Sequence, residues 1–274
     1  MGQEMKDRIA RMHRETGAAW DIAARKYEDA VEKDIEFLRR GGNSLLPPEQ
    51  RILGELKSWC RRAIHLQCAG GQDTLSLLAQ GANEVVGIDI SERMIGCARQ
   101  KSEALRAKAT WYCCDILDVP HALDGTGDLV YTGRGALPWM MDIQGWARVI
   151  ARLLKGGGQL FVFEGHPLDW VWDANASDIR FHPERNNYFS DKIEGGERWP
   201  APFIARQRDL NPADFPIHEH QWTLGQVVNA LLAAGLLLRH FDEYPDLYWE
   251  QFPNVPTQIL RRLPHTFSLL MEKT

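Results

Sequence analysis

Long apolar runs are missing from this sequence, and none approaches the roughly 18–20 residues that cross a bilayer. The opening stretch, MGQEMKDRIARMHRETG, is charged throughout and has no apolar core of a signal peptide, so the cytoplasm is the expected compartment. The cysteines, Cys60, Cys68, Cys97 and the adjacent Cys113 and Cys114, form no C-x-x-C pair. That argues against a zinc knuckle or a disulfide framework and for reduced, partly buried thiols. Lysine and arginine form no basic block and the net charge is -5, which disfavours a nucleic acid as partner, because phosphate binding needs clustered cations.

What is present fits a soluble globular chain of 274 residues, long enough for one domain with elaborations. Residues 4–40 have apolar positions about one helical turn apart, from Ile9 and Met12 to Ile35 and Leu38. GGNS at 41–44 breaks the run, and PPEQRILGELKSWC starts another helix with proline in its first turn. From there short apolar strands (63–68, 84–89, 109–113, 128–132, 159–164) alternate with helices at about 72–80, 92–107 and 142–154. Ser91 reads as the cap of the second helix, and the glycines of LKGGGQLFVFEG as the end of the third. This alternation predicts a parallel sheet covered on both faces. From 167 to 221 the pattern fails, with six prolines and the aromatics Trp170, Trp172, Phe181, Tyr188, Phe189, Trp199, Phe203 and Phe215, as in a lid or binding insertion. Thr223 then caps LGQVVNALLAAG, and two strand-like runs, LLLRHFDEY and LPHTFSLLMEK, close the chain. The expected parts are a helical cap (1–60), a βαβ core (61–166), the lid (167–221) and a carboxyl-terminal helix and strands (222–274).

The stretch AIHLQCAGGQDTLSLLAQGANEVVGIDIS carries the chemistry. A doubly wound sheet binds ligands outside the carboxyl ends of its strands, where CAGGQD lies. Asp89 ends the second strand, where a carboxylate accepts both hydroxyls of a ribose. The dinucleotide fingerprint G-x-G-x-x-G cannot be laid on this loop, and Asp73 would repel a pyrophosphate at the helix start, which weakens a nicotinamide oxidoreductase reading. An adenosine cofactor with a cationic amino-acid tail fits better, and S-adenosylmethionine is such a molecule.

HLQCAGGQDTLSLLAQGA, VVGIDIS, ATWYCCDILDVP and the run from GDLVYTGRGALPWMMD to LFVFEGHP resemble the class I S-adenosylmethionine-dependent methyltransferases over most of the chain. The resemblance implies a Rossmann-like, doubly wound α/β fold with a seven-stranded sheet, an antiparallel carboxyl-terminal strand, an N-terminal helical cap and a lid insertion. It implies ribose binding at Asp89, adenine packing at Ile90, an adenine contact at Asp115 beside Ile116, and aromatic contacts from Trp20 and Tyr27. Gln67, Ala69, Gly71 and Thr132 complete the expected cofactor contacts. The common loop is acid-x-Gly-x-Gly-x-Gly, whereas this chain reads His65 to Gly71 with only the last glycine in register. A small-molecule branch of the family is similar in having HLQC, a later glycine and DTLS.

Three residues are candidates for catalysis. His166 follows the fifth strand, either as a general base or as a histidine that bonds the backbone and shapes the loop. Tyr131 and Arg134 end the fourth strand, and Arg134 either clamps an acceptor carboxylate or pairs with an acid of the protein. His218 and His220 fall on one face of a strand, but without a third ligand contact with substrate or solvent is preferred to a metal site. The aromatics of 168–222 form either a cage for a planar or cationic acceptor or the lid's own small core. The expectation is methyl transfer to a small-molecule acceptor, against the alternative of a cofactor-binding sensor or partner subunit without transferase activity. The sequence does not fix the acceptor atom or the oligomeric state.

Overall fold

The computed structural model describes residues 2–182, 187–191, 193–194 and 210–274. Trp199 and Phe203 of the expected lid lie outside the described residues. The chain begins with α1 (Gln3–Ala23), α2 (Arg25–Glu28), α3 (Val31–Arg39) and α4 (Pro47–Leu53). The run expected as helical over 4–40 is thus split at Ala24 and at Asp29–Ala30. The breaks let Trp20 and Tyr27 face one cavity while Val31 and Ile35 pack on Cys97.

The alternating part follows as β1 (Arg62–Leu66), α5 (Gln72–Ala79), β2 (Glu84–Asp89), α6 (Glu92–Leu105), β3 (Ala109–Cys113), β4 (Gly127–Gly133), α7 (Ile143–Leu153) and β5 (Leu154–Gly165). Beyond it lie the two-residue strands β6 (Ile193–Glu194) and β7 (Glu219–His220), then α8 (Leu224–Ala233), β8 (Leu236–Tyr244), α9 (Thr257–Leu260) and β9 (Thr266–Lys273). Seven strands form one sheet in the order β3-β2-β1-β4-β5-β9-β8, parallel through β5 and antiparallel at β9 and β8. The order reverses between β1 and β4, which makes their carboxyl ends the place for a ligand.

Strand residues alternate between two cores, as the two-residue period of a strand requires. Ile64, Leu66, Val130 and Val162 face Trp146 and Ile150 of α7 and Leu231 of α8. Ala63, Leu129, Tyr131 and Phe161 face the other way, onto Leu53 of α4 and Leu56. Both faces are covered, so the parallel strands read as nearly continuous apolar runs. Ser91 caps α6 by accepting the Met94 N–H at 3.2 Å, and Thr223 with Gln226 forms a capping box on α8.

The glycine trio corrects an expectation. Helix α7 ends at Leu153 and the next residue is already extended, so no glycine caps it. Gly156–Gly158 instead let β5 bulge, because Gly127 pairs with Leu154 while Leu129 pairs with Gln159. The last strand is also preceded by a short helix, α9, where none was expected.

Candidate functional site

Between β1 and α5 the chain turns through Gln67–Gly71, and Gln67 (φ 56°) and Ala69 (φ 45°) adopt left-handed backbone. A residue with a Cβ pays roughly 1–2 kcal/mol for that conformation. Arg134, just after β4, has φ 55°. All three line one cavity at the carboxyl ends of β1 and β4. Strained backbone gathers at functional sites, and here Gln67 and Ala69 adopt the left-handed conformation that Gly71 adopts without strain.

Asp89 faces this turn. Its Oδ2 accepts the Ala69 N–H at 2.8 Å and its Oδ1 the Ser91 N–H at 3.0 Å, and each oxygen keeps a lone pair for a ligand. Burial pushes its carboxyl up to about 6, against the pull of those two bonds. Gln67 is oriented by its Nε2, which donates to the Ala136 carbonyl at 2.7 Å, and its Oε1 is buried with no partner. A buried acceptor left open is costly unless a ligand donates to it. His65, in the place of the family's acid, bonds Thr74 Oγ1 at 2.7 Å, and burial lowers its pKa to about 3, so the ring is neutral.

The roof of the cavity comes from α1 and α2. His13, Thr16 and Trp20 line it from one face of α1, and Tyr27 from α2. His13 Nε2 accepts the Met141 N–H at 3.0 Å, which puts the ring proton on Nδ1, 2.7 Å from Asp115 Oδ2. Gly17 allows α1 to cross here, since a Cβ would come within 3.1 Å of Ile90. Trp20, Tyr27, Gln67, Ala69, Asp89, Ile90, Asp115, Ile116 and Arg134 are therefore brought together. His13, Thr16, Met94 and Trp139 join them without having been singled out in the sequence, although His13 and Thr16 share Trp20's helical face.

The other expected residues are placed elsewhere. Gly71 does not line the cavity but starts α5 with φ 77°, and a Cβ there would meet Ala98 at 2.6 Å and Trp111 at 2.7 Å. Thr132 is fully buried on the Val130 face of β4, towards α7. Tyr131 is not at the reacting end: it faces the opposite core and its hydroxyl donates to the buried carboxylate of Glu49. Arg134 reaches the cavity wall, but its Nη2 lies 2.8 Å from Asp73 and 3.6 Å from Glu49, so it pairs with acids of the protein. His166 is not a free base. Its Nδ1 accepts the Leu168 N–H at 3.0 Å, and its Nε2 lies 2.9 Å from Glu243, so neither nitrogen offers a lone pair. His218 bonds Glu15 at 2.6 Å from outside β7, whereas His220 stacks on Trp222, so the two histidines do not converge. No group of three metal-ligating side chains occurs among the described residues.

Glu164, at the end of β5, organises the loop after β4. It accepts the N–H groups of Gly135 (2.5 Å), Ala136 (2.8 Å), Leu137 (3.1 Å) and Gly165 (2.8 Å). The carbonyl of Ala136 in turn holds Gln67, so one buried acid sets the wall of the cavity. Its only trace in the sequence is a carboxylate inside the apolar run FVFEG.

Residues 63–158 match the family described as a methyltransferase domain. The match runs from β1 into the start of β5. It contains the Gln67–Gly71 turn, Asp89, Asp115 and Arg134, and it leaves α1 and everything after residue 158 outside the match. Solved structures share the fold over the matched segment and well beyond it. One is an S-adenosylmethionine-dependent methyltransferase from Mesorhizobium loti, 20% identical with a TM-score of 0.57, matched over 83% of this chain and 96% of that one. A second is a geranyl diphosphate C-methyltransferase from Streptomyces coelicolor A3(2), solved with Mg2+, geranyl-S-thiolodiphosphate and S-adenosyl-L-homocysteine. It is 13% identical with a TM-score of 0.56, over 83% of this chain and 76% of that one. A third is the [4+2]-cyclase SpnF, 15% identical with a TM-score of 0.57, over 96% of this chain and 97% of that one. At these identities the likeness shows the fold alone. Comparison with curated proteins gave no match.

A second cavity of about 620 Å³ opens between the loop after β4, the residues after β5 and those after β8. Gly135 and Trp139 line both cavities, so the two adjoin at the loop that Glu164 holds. Among the described residues no helix is long and apolar enough to cross a membrane.

Proposed function

We propose that this chain transfers the methyl group of S-adenosylmethionine to a small-molecule acceptor in the cytoplasm. The observation that carries the reading is the single cavity lined by Asp89, Asp115 and the partnerless Gln67 Oε1 at the switch point of the sheet. Those groups suit the parts of the cofactor. Asp89 would accept the ribose hydroxyls, Asp115 the adenine amino group between Ile90 and Ile116, and Gln67 Oε1 the ammonium of the methionine end. When bound, the cofactor supplies a methyl group activated by a sulfonium.

The chain's own part is positioning. Helices α1 and α2 of the cap roof the cofactor cavity, and the loop held by Glu164 presents the acceptor in line with the methyl group. Orientation of this kind supplies about 7–11 kcal/mol of a barrier at best. With His166 committed to Leu168 and Glu243, the reading needs no base from that residue.

Isothermal titration with S-adenosylhomocysteine tests the assignment: one site per chain is expected, weakened at least tenfold by Asp89→Ala in a folded protein. An unchanged affinity would remove the ribose assignment. A second reading is cofactor binding without methyl transfer, as a sensor or partner subunit; the [4+2]-cyclase is an instance of this fold under a name other than methyltransferase. Binding with no labelled methyl transferred to any of a panel of nitrogen, oxygen, sulfur and carbon acceptors favours that reading.

A further inference from the structure

The second cavity has a composition of its own. Trp139, Trp170, Trp172, Tyr248 and Trp249 present indole and phenol rings to it. Four carboxylates also line it, and among the described residues no lysine or arginine does. Two of these acids are already compensated: Glu164 by four backbone N–H groups, and Asp169 by His265 at 2.7 Å. Glu219 is buried and also partnered, and Glu250 is exposed. Trp172 lines the cavity, and its indole N–H is buried with no partner.

Ring faces carry negative potential and attract cations, by about 0.5–2 kcal/mol for each well-placed contact. An anionic acceptor would instead need arginine, lysine or a bound metal to offset its charge. The thiolodiphosphate in the Streptomyces structure is such an anion, and among the described residues this wall offers it no lysine, arginine or metal-ligating group of three.

We infer that the second cavity takes an amine: a small molecule with a flat or apolar body, a protonatable nitrogen, and a hydroxyl or carbonyl oxygen to meet Trp172. The nitrogen is the atom methylated. The ammonium binds among the rings and sheds one proton to solvent. Its lone pair then forms the N–C bond as the C–S bond breaks and leaves its electron pair on sulfur. The product is again an ammonium, so substrate and product suit the same wall.

This rests on the methyltransferase reading for where the methyl group arrives, at the junction marked by Gly135 and Trp139. The test is therefore a binding measurement on the full chain, with and without saturating S-adenosylhomocysteine. The probes are tyramine, the neutral 4-(3-hydroxypropyl)phenol and the anionic 3-(4-hydroxyphenyl)propionate, followed by tryptophan fluorescence and calorimetry. Tyramine is expected to bind at least tenfold tighter than the carboxylate and several-fold tighter than the alcohol. Trp249→Ala, at an exposed position, and Trp172→Phe, which keeps a ring but removes the N–H, are each expected to weaken tyramine at least threefold without changing S-adenosylhomocysteine affinity. Equal or tighter binding of the carboxylate, or no measurable binding of tyramine, overturns the inference. If S-adenosylhomocysteine binds and the amine preference is missing, the amine reading alone fails. If the amine preference holds and S-adenosylhomocysteine does not bind, the cofactor assignment fails and the amine site stands.

Discussion

His13 Nδ1 lies 2.7 Å from Asp115 Oδ2, so a side chain of the first helix holds the acid that follows the third strand. A hydrogen bond to a charged group is worth about 1.5–3 kcal/mol, and Asp115 keeps a second bond from the Leu117 N–H at 2.9 Å. His13→Ala is expected to weaken S-adenosylhomocysteine binding about tenfold with little loss of fold. Calorimetry checks this, and an unchanged dissociation constant would remove His13 from the site.

Asp89 predicts a pH dependence. Burial raises its folded-state pKa from 3.8 to about 6, so between those values the folded chain binds more protons than the unfolded one. This residue therefore contributes stability at low pH that is lost as pH rises through about 6. Cofactor binding runs the other way, because ribose hydroxyls donate to the carboxylate. Affinity is expected to fall as pH drops below about 6, and Asp89→Asn should flatten that profile while weakening binding throughout. An identical pH profile in parent and variant would show that another group controls it.

The left-handed turn predicts a stabilising change. Ala69→Gly removes a penalty of roughly 1–2 kcal/mol in the folded chain and adds about 0.4–1 kcal/mol of unfolded-state entropy. A net gain on the order of 1 kcal/mol is expected in urea unfolding. Ala69→Val should lose more than Ala69→Gly gains, because a branched side chain resists this φ most.

His166 separates support from chemistry. His166→Asn retains a side-chain acceptor for the Leu168 N–H, whereas His166→Ala leaves that donor unmet and should lose about 1 kcal/mol of stability. Turnover by the asparagine variant is expected within about threefold of the parent. A collapse of its rate at unchanged stability would restore a base role.

Much of the fold was legible because burial and strand period act locally. The runs around Ile64, Val86 and Val130 alternate between two cores, and Asp89 and Asp115 stand at strand ends where the chain must leave the sheet. The glycine trio misled, since a left-handed glycine after a helix is the usual stop, whereas here extended backbone at Leu154 ends α7. Tyr131 was one position out of phase, and a single step along a strand reverses the face. Gln67 and Ala69 hid their geometry because they are not glycine, and the roles of His13 and Glu164 depend on partners distant in sequence.

The helical roof has a kinetic consequence. Its underside, from His13 to Tyr27, covers the first cavity, and it is clasped to the far side by Ser91 donating to Asp21 at 2.5 Å and by Arg93 gripping Glu28 with two bonds of 2.7 Å. Under the proposed function, a spent nucleoside beneath it is expected to depart once those clasps open. On the proposed function, residence time is expected to follow how often this helix lifts, and Glu28→Gln should shorten it.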